Sequence, residues 1–141
     1  MRDNPILKIH KFVFLIEKGL DRKLHSAIGL SFSQCMILVH IAHNPEISQR
    51  HVACERDITA AAVSRHIEAL ESLGFISRED NRVNKREHVL HITLSGKDIV
   101  DHAEKVIEQE VEFFSEYLEK KERDSFSFLC DKLISRLDNF S

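Results

Sequence analysis

The sequence predicts a mainly α chain with a small β-hairpin wing, and three observations carry that reading. Apolar residues recur at steps of three and four in long stretches near both ends. Only four glycines and two prolines interrupt 141 residues, so long helices with few breaks are expected. One pair of short β-prone runs, Phe75–Arg78 and His88–Ile92, flanks a polar, basic tip. With 43% apolar and 30% charged residues, the balance is that of an ordinary globular domain.

Each element has its own signal. From Pro5 to about Ala27, Ile6, Ile9, Phe12, Val13, Ile16 and Leu20 form one apolar stripe of a helix that Gly29 ends. Ser31-Phe32-Ser33-Gln34 then reads as a capping box for a second helix. Met36, Ile37, Val39 and Ile41 make that helix apolar nearly all round, a buried hub stopped by Asn44-Pro45. A short helix over Ile47–Cys54 follows, then the polar turn Glu55-Arg56-Asp57. Thr59 caps a helix running from Ala60 to about Leu73, with Gly74 as its stop. Two short helices joined by a tight turn are a helix-turn-helix unit. In the hairpin, the tip from Glu79 to Glu87 contains Asn81 and Asn84, both at ease in turns. Thr93 or Ser95 restarts helix to about Leu118, with Ile99, Val100, Ala103, Val106, Ile107, Glu110, Val111 and Phe114 broadly on one side. A last segment repeats the spacing with Phe126, Leu129, Cys130, Leu133, Ile134 and Leu137. A monomer of this size leaves the apolar faces of the first and last two helices uncovered, and a symmetry mate is the economical cover. The expected layout is one unit over 1–141. Residues 30–95 form the winged helix-turn-helix lobe, and 1–29 and 96–141 supply dimerisation helices.

Charge is unevenly placed. The net charge is −3, but residues 1–49 carry +2, residues 50–97 carry +1, and residues 98–141 carry −6. Around the hairpin, Arg78, Arg82, Lys85, Arg86 and Lys97 outnumber Glu79, Asp80 and Glu87. A modest basic spot on an acidic body suits local phosphate contact better than coating of a polyanion. No stretch approaches the roughly 18 apolar residues of a membrane span, so no membrane partner is expected. Met1-Arg2-Asp3-Asn4-Pro5 lacks a secretory apolar core. Cys35, Cys54 and Cys130 are odd in number and far apart. A reducing, cytoplasmic setting is expected.

On the helix from Ala60, Val63, Ile67 and Leu70 cluster on one side, and Ala61, Ser64, Arg65, Glu68 and Ser72 fall on the other. Small side chains let a helix sink into a major groove about 12 Å wide, where Arg bonds a guanine edge or a phosphate. Thr59, Ser64 and the N–H groups at the helix start can bond phosphates. Taken alone, this face also fits a plain amphipathic helix whose alanines reflect helix propensity. The basic hairpin tips the balance, because a narrow minor groove attracts arginine. The candidate DNA contacts are Thr59, Ala60, Ala61, Ser64, Arg65 and Glu68 on the helix, with Arg78, Arg82, Asn84, Lys85 and Arg86 on the wing.

The run from Val63 through Ile67, Leu70, Leu73-Gly74-Phe75-Ile76 to Arg78 resembles the recognition helix and first wing strand of MarR-family regulators. Asn84-Lys85-Arg86 and Ile92-Thr93-Leu94-Ser95-Gly96 are similar to that family's wing tip and to the start of its long dimer helix. The similarity extends over roughly Leu30 to Val100. It implies a homodimeric, triangular winged-helix protein on a pseudo-palindromic operator. Such a protein is usually a repressor acting by steric block and released by a small molecule or oxidation. It also implies a small aromatic or anionic effector between the first, second and fifth helices.

The residues also bear on other functional classes. There is no nucleophile elbow, no Gly-rich phosphate loop and no metal-binding spacing, so neither an enzyme nor a cofactor is expected. Nine histidines are many, and zinc-sensing members of the family exist. Yet the pairs His40/His43 and His88/His91 lack ligand spacing, and only a fold could bring His40 and His43, near Cys35, to His102 or Glu104. The cysteines sit at apolar helix positions, and none precedes Cys35 as in peroxide-sensing members. Of the three, Cys54, near Arg50 and Arg56, has the cationic neighbours a reactive thiol needs. A module that sequesters another regulator, or a metal- or redox-responsive variant of the same fold, is the alternative.

One departure from the family generates a prediction. Family wings carry Asp-x-Arg where this chain has Asn84-Lys85-Arg86, so the charge-assisted part of the bond that steadies the arginine is missing. Asn84→Asp is expected to tighten operator binding at matched salt, measured by fluorescence anisotropy. Unchanged affinity would contradict the assigned role of the wing.

Overall fold

The structure is a computed structural model that describes residues 4–56, 58–84 and 86–139. In chain order it contains α1 (Pro5–Ile28), α2 (Phe32–His43), β1 (Ile47–Ser48), α3 (Gln49–Glu55), α4 (Ala60–Ser72), β2 (Ile76–Asp80), β3 (His88–Ile92), α5 (Leu94–Ser115) and α6 (Lys120–Asp138). Contacts divide the chain into one unit through Val106 and a second from Ile107.

The helix ends of the first unit follow from local chemistry. Asn4 Oδ1 accepts from the Ile6 N–H at 2.9 Å ahead of Pro5, and Gly29 closes α1 in the left-handed region at φ 73°. Ser31 and Gln34 form both bonds of the expected capping box. The Phe32 N–H donates to Asp21 Oδ1 at 2.9 Å, tying the start of α2 to α1. Ser48 and Thr59 cap α3 and α4.

The core gathers around α2, from which Cys35, Ile37, Leu38 and Ile41 are buried. Met36 and Val39 are only half-buried, so the hub is less complete than its all-round apolarity suggests. Leu20 and Leu24 of α1, Val52 of α3, Leu90 of β3, and Val100 and Ala103 of α5 join this core. From α4 come Val63, Ile67 and Leu70, each 0% exposed. Full burial of such side chains stabilises by about 1.5–3 kcal/mol each.

The sheet corrects the expected two-stranded wing. It has three antiparallel strands in the order β1-β3-β2, with Ile47 opposite Leu90 and Ile76 opposite Ile92. Ile47 and Ser48 belong to this sheet and not to the helix that follows, because buried Ile47 completes the layer over Leu90. β2 also starts later than expected. The Phe75 N–H bonds the Leu70 carbonyl at 3.0 Å, so Phe75 closes the end of α4, with Gly74 left-handed at φ 76°. Glu79 and Asp80 prolong the ladder, and the tip contracts to Asn81–Glu87.

In the second unit α5 stops at Ser115 instead of near Leu118. The Arg123 guanidinium donates to the carbonyls of Ser115 and Leu118 at 2.9 and 3.1 Å, turning the chain into α6. Phe113 packs edge-to-face on Phe114 and Tyr117. Within α6 no described residue is buried, and Leu129, Leu133 and Ile134 are exposed. Among the described residues no single helix is long and apolar enough to cross a membrane.

The wing is knotted at its root. Thr93 Oγ1 and Ser95 Oγ both donate to the Gly74 carbonyl, at 2.6 and 2.9 Å, and the Thr93 N–H donates to the Phe75 carbonyl at 3.0 Å. The same Thr93 Oγ1 accepts from the Gly96 N–H at 3.1 Å and so starts α5. Gly96 lies against Phe75 so closely that an added Cβ would strike the Phe75 carbonyl oxygen. Gly96→Ala is therefore expected to cost about 1–3 kcal/mol in urea unfolding, as overpacking does; an unchanged midpoint would contradict the close approach.

Cys35 yields a second prediction. Burial, helped by the charge of Asp21, pushes its thiol up to about 12, so it stays protonated and inert at neutral pH. Cys54, contrary to the expected apolar position, is exposed, and Cys130 is half-buried. Iodoacetamide at pH 8 is expected to label Cys54 and spare Cys35 until the chain unfolds. Mass spectrometry showing equal rates for the two would refute this.

Candidate nucleic-acid interface

Burial of Val63, Ile67 and Leu70 turns the opposite side of α4 outward. Thr59, Ala60, Ala61, Arg65, Glu68 and Ser72 are exposed there, and Ser64 is half-buried. The Thr59 hydroxyl already accepts from the Ala62 N–H at 3.1 Å, leaving its proton to donate to an incoming anion. Ser64 Oγ donates to Glu68 Oε1 at 3.2 Å, so these two are tied to each other across one turn. Arg65 has no ion-pair partner among the described residues. The result is a slim face of alanines and hydroxyls bearing one unpaired guanidinium.

The wing tip is built by its asparagines. Asn81 Oδ1 accepts from the N–H groups of Val83 and Asn84 at 2.9 and 3.3 Å, and the Asn81 N–H donates to the Glu87 carbonyl at 2.9 Å. Asn84 Oδ1 accepts at 3.3 Å from the backbone N–H of Arg86. This differs from the expected bond to the Arg86 side chain: the asparagine orders the main chain of the tip and leaves the guanidinium out. Arg82, Asn84 and Arg86 are exposed, and neither arginine has an ion-pair partner among the described residues. Lys85, also expected to contact DNA, lies outside the described residues.

Arg78 stands apart from these cations. Its Nε and Nη2 reach Glu71 Oε2 at 2.8 and 2.6 Å, so the guanidinium is engaged with the last turn of α4. Sequence reasoning did not single out Arg50, which lies in the first turn of α3 and approaches Glu87 at 3.8 Å. A cleft of about 230 Å³ between α3, the start of α4 and the tip end of β3 is lined by Arg50, Ala53, Ala60, Val63, Arg86 and His88. It joins the slim helix face and the wing into one surface. The signal available in the sequence was Arg50's place in the first helix of the helix-turn-helix.

Five of the described histidines approach carboxylates, and two of these, His40 and His51, share Glu55. His40 and His51 approach Glu55 at 3.1 and 2.8 Å, His88 approaches Asp80 at 3.2 Å, and His91 approaches Glu79 at 3.5 Å. His43 meets Glu104 at 3.3 Å, so the fold does bring α2 and α5 together there. Among the described residues no group of three such side chains could hold a metal ion.

Comparison with known proteins agrees with this geometry. The model of the MarR family matches residues 28–87. The uncharacterized HTH-type transcriptional regulator YdgJ of Bacillus subtilis (strain 168) is 29% identical over 130 residues, covering 89% of this chain and 75% of that protein. A crystal structure of MarR superposes with a TM-score of 0.87 at 24% identity, covering 99% of this chain and 95% of that one. The S. aureus MepR–DNA complex superposes with a TM-score of 0.82 at 18% identity, covering 95% and 98%. The Bacillus relative is described as a transcriptional regulator, and the two structures share this chain's fold. Residues 28–87 are thus similar to the MarR family, and the chain as a whole shares the winged helix-turn-helix fold of the solved MarR structures.

Proposed function

We propose that the chain is a sequence-specific repressor that binds a pseudo-palindromic operator as a homodimer, blocks promoter access and is relieved by a small ligand. The observation that carries this is the outer face of α4, slim and marked by Arg65, beside a wing that carries Arg82 and Arg86, all three exposed and without an ion-pair partner among the described residues. Thr59, Ala60, Ala61, Ser64, Arg65 and Glu68 would line the major groove. Arg82, Asn84, Lys85 and Arg86 would approach the flanking minor groove, whose narrow stretches attract arginine. The MepR–DNA complex supports the reading by showing a protein of similar fold on DNA.

The homodimer rests on apolar surface. Ile6, Ile9, Val13 and Leu15 of α1 are exposed, and so are Leu129, Leu133 and Ile134 of α6. Exposed apolar side chains at helical spacing on each helix are the kind of surface that association covers. Residues 1–29 and 96–141 would pair the protomers, leaving residues 30–95 to face the duplex. Relief by a small aromatic or anionic ligand is supported by the family resemblance alone.

The test is selection of bound duplexes from a random pool. It should enrich an inverted repeat whose half-sites lie about one helical turn apart. Arg65→Ala should cost about 1–3 kcal/mol on that operator and relax preference at one position per half-site. A pool without enrichment, or an Arg65→Ala variant binding as the parent does, would overturn the reading.

A further inference from the structure

We infer that Arg78 and Glu71 are positioning residues that set the wing against the recognition helix, and that Arg78 is not a phosphate contact. This assignment rests on the DNA-binding reading above. Strand alternation puts Arg78 on the same face of β2 as Ile76, which is 2% exposed. Its backbone partner across the sheet is Leu90, which is fully buried. The side chain therefore starts on the inward face, and both nitrogens that meet Glu71 converge on a single carboxylate oxygen. The pair is part-buried, at 28% and 35% side-chain exposure, so water screens it less than it screens the open cations of the tip.

Placement gives the pair its effect. Glu71 lies one turn beyond Ile67, on the helix whose outer face carries Arg65. Arg78 lies two residues into the strand that leads to Arg82. On the other side of the wing root, Thr93 and Ser95 hold the Gly74 carbonyl and fix where the chain leaves the hairpin. The ion pair fixes the angle at which it enters. Without it the wing would still fold as a hairpin, but its tip and α4 would no longer present their guanidinium groups at one spacing, and misplacement of either loses its groove contact.

The test turns on a sign. Glu71→Gln removes a negative charge from a DNA-binding lobe, so simple electrostatics predicts tighter binding. Positioning predicts the reverse. Affinity for the selected operator, measured by anisotropy over a salt series, should fall about tenfold for Glu71→Gln and for Arg78→Ala. The double variant should be no weaker than either. The salt slope should match the parent's, because no phosphate contact is lost. In the Glu71→Gln background, Arg86→Ala should add little further loss while Arg65→Ala keeps its full effect. The exchange Glu71→Arg with Arg78→Glu should restore binding.

Tighter binding by Glu71→Gln, or a slope lowered by about one in Arg78→Ala, would make Arg78 a phosphate contact and overturn the assignment. A charge exchange that folds, by circular dichroism, yet fails to restore affinity would also overturn it. A parent chain that binds no duplex would instead remove the DNA-binding reading itself.

Discussion

The surface proposed to face DNA depends on the seating of α4. Val63, Ile67 and Leu70 occur at steps of four and three, and all are closed to solvent against the core around α2. With roughly 1.5–3 kcal/mol at stake for each, rotation of the helix about its own axis is strongly opposed. The opposite face is therefore determined by the inner one. It holds alanines and short hydroxyls where a larger side chain would keep a helix from entering a groove, and a single arginine where a base edge or phosphate can be met.

A well-seated helix is half of the surface; the wing must be held to it. The chain leaves α4 through a left-handed Gly74, and the Gly74 carbonyl receives two hydroxyls from the far end of the hairpin. Gly96 packs so tightly on Phe75 that a methyl group has no room. Entry to and exit from the wing are thus fastened at one point, where α4 ends and α5 begins. Arg78 and Glu71 add a charged brace beside it. The tip itself is ordered by main-chain bonds to Asn81 and Asn84, which leaves Arg82 and Arg86 open to solvent.

Much of this was legible in the sequence because the signals are local. Capping at Ser31 and Thr59, the stops at Gly29 and Gly74, and the apolar stripe of α4 each involve residues within a turn or two of one another. What escaped is non-local or too short to have a period. A strand of two residues, Ile47-Ser48, has no alternation to read, and only its pairing with Val89 and Leu90 defines it. The engagement of Arg78 with Glu71 joins a helix to a strand across a turn, so charge counting placed Arg78 with the free cations. Arg50 was passed over because its relevance comes from lying beside Arg86 and Glu87 at the tip end of the wing. The asparagine at the tip was read by its neighbour's side chain, whereas the bond it makes is to that neighbour's backbone.

The central claim is that the outer face of α4 lies in the major groove. Guanine N7 points into that groove, so dimethyl sulfate protection on a duplex held at saturating protein reads the placement directly. The account predicts two patches of protected guanines about one helical turn apart on the bound duplex, and loss of that protection in a variant lacking the Arg65 guanidinium. Full binding with every N7 as reactive as in free DNA would contradict it.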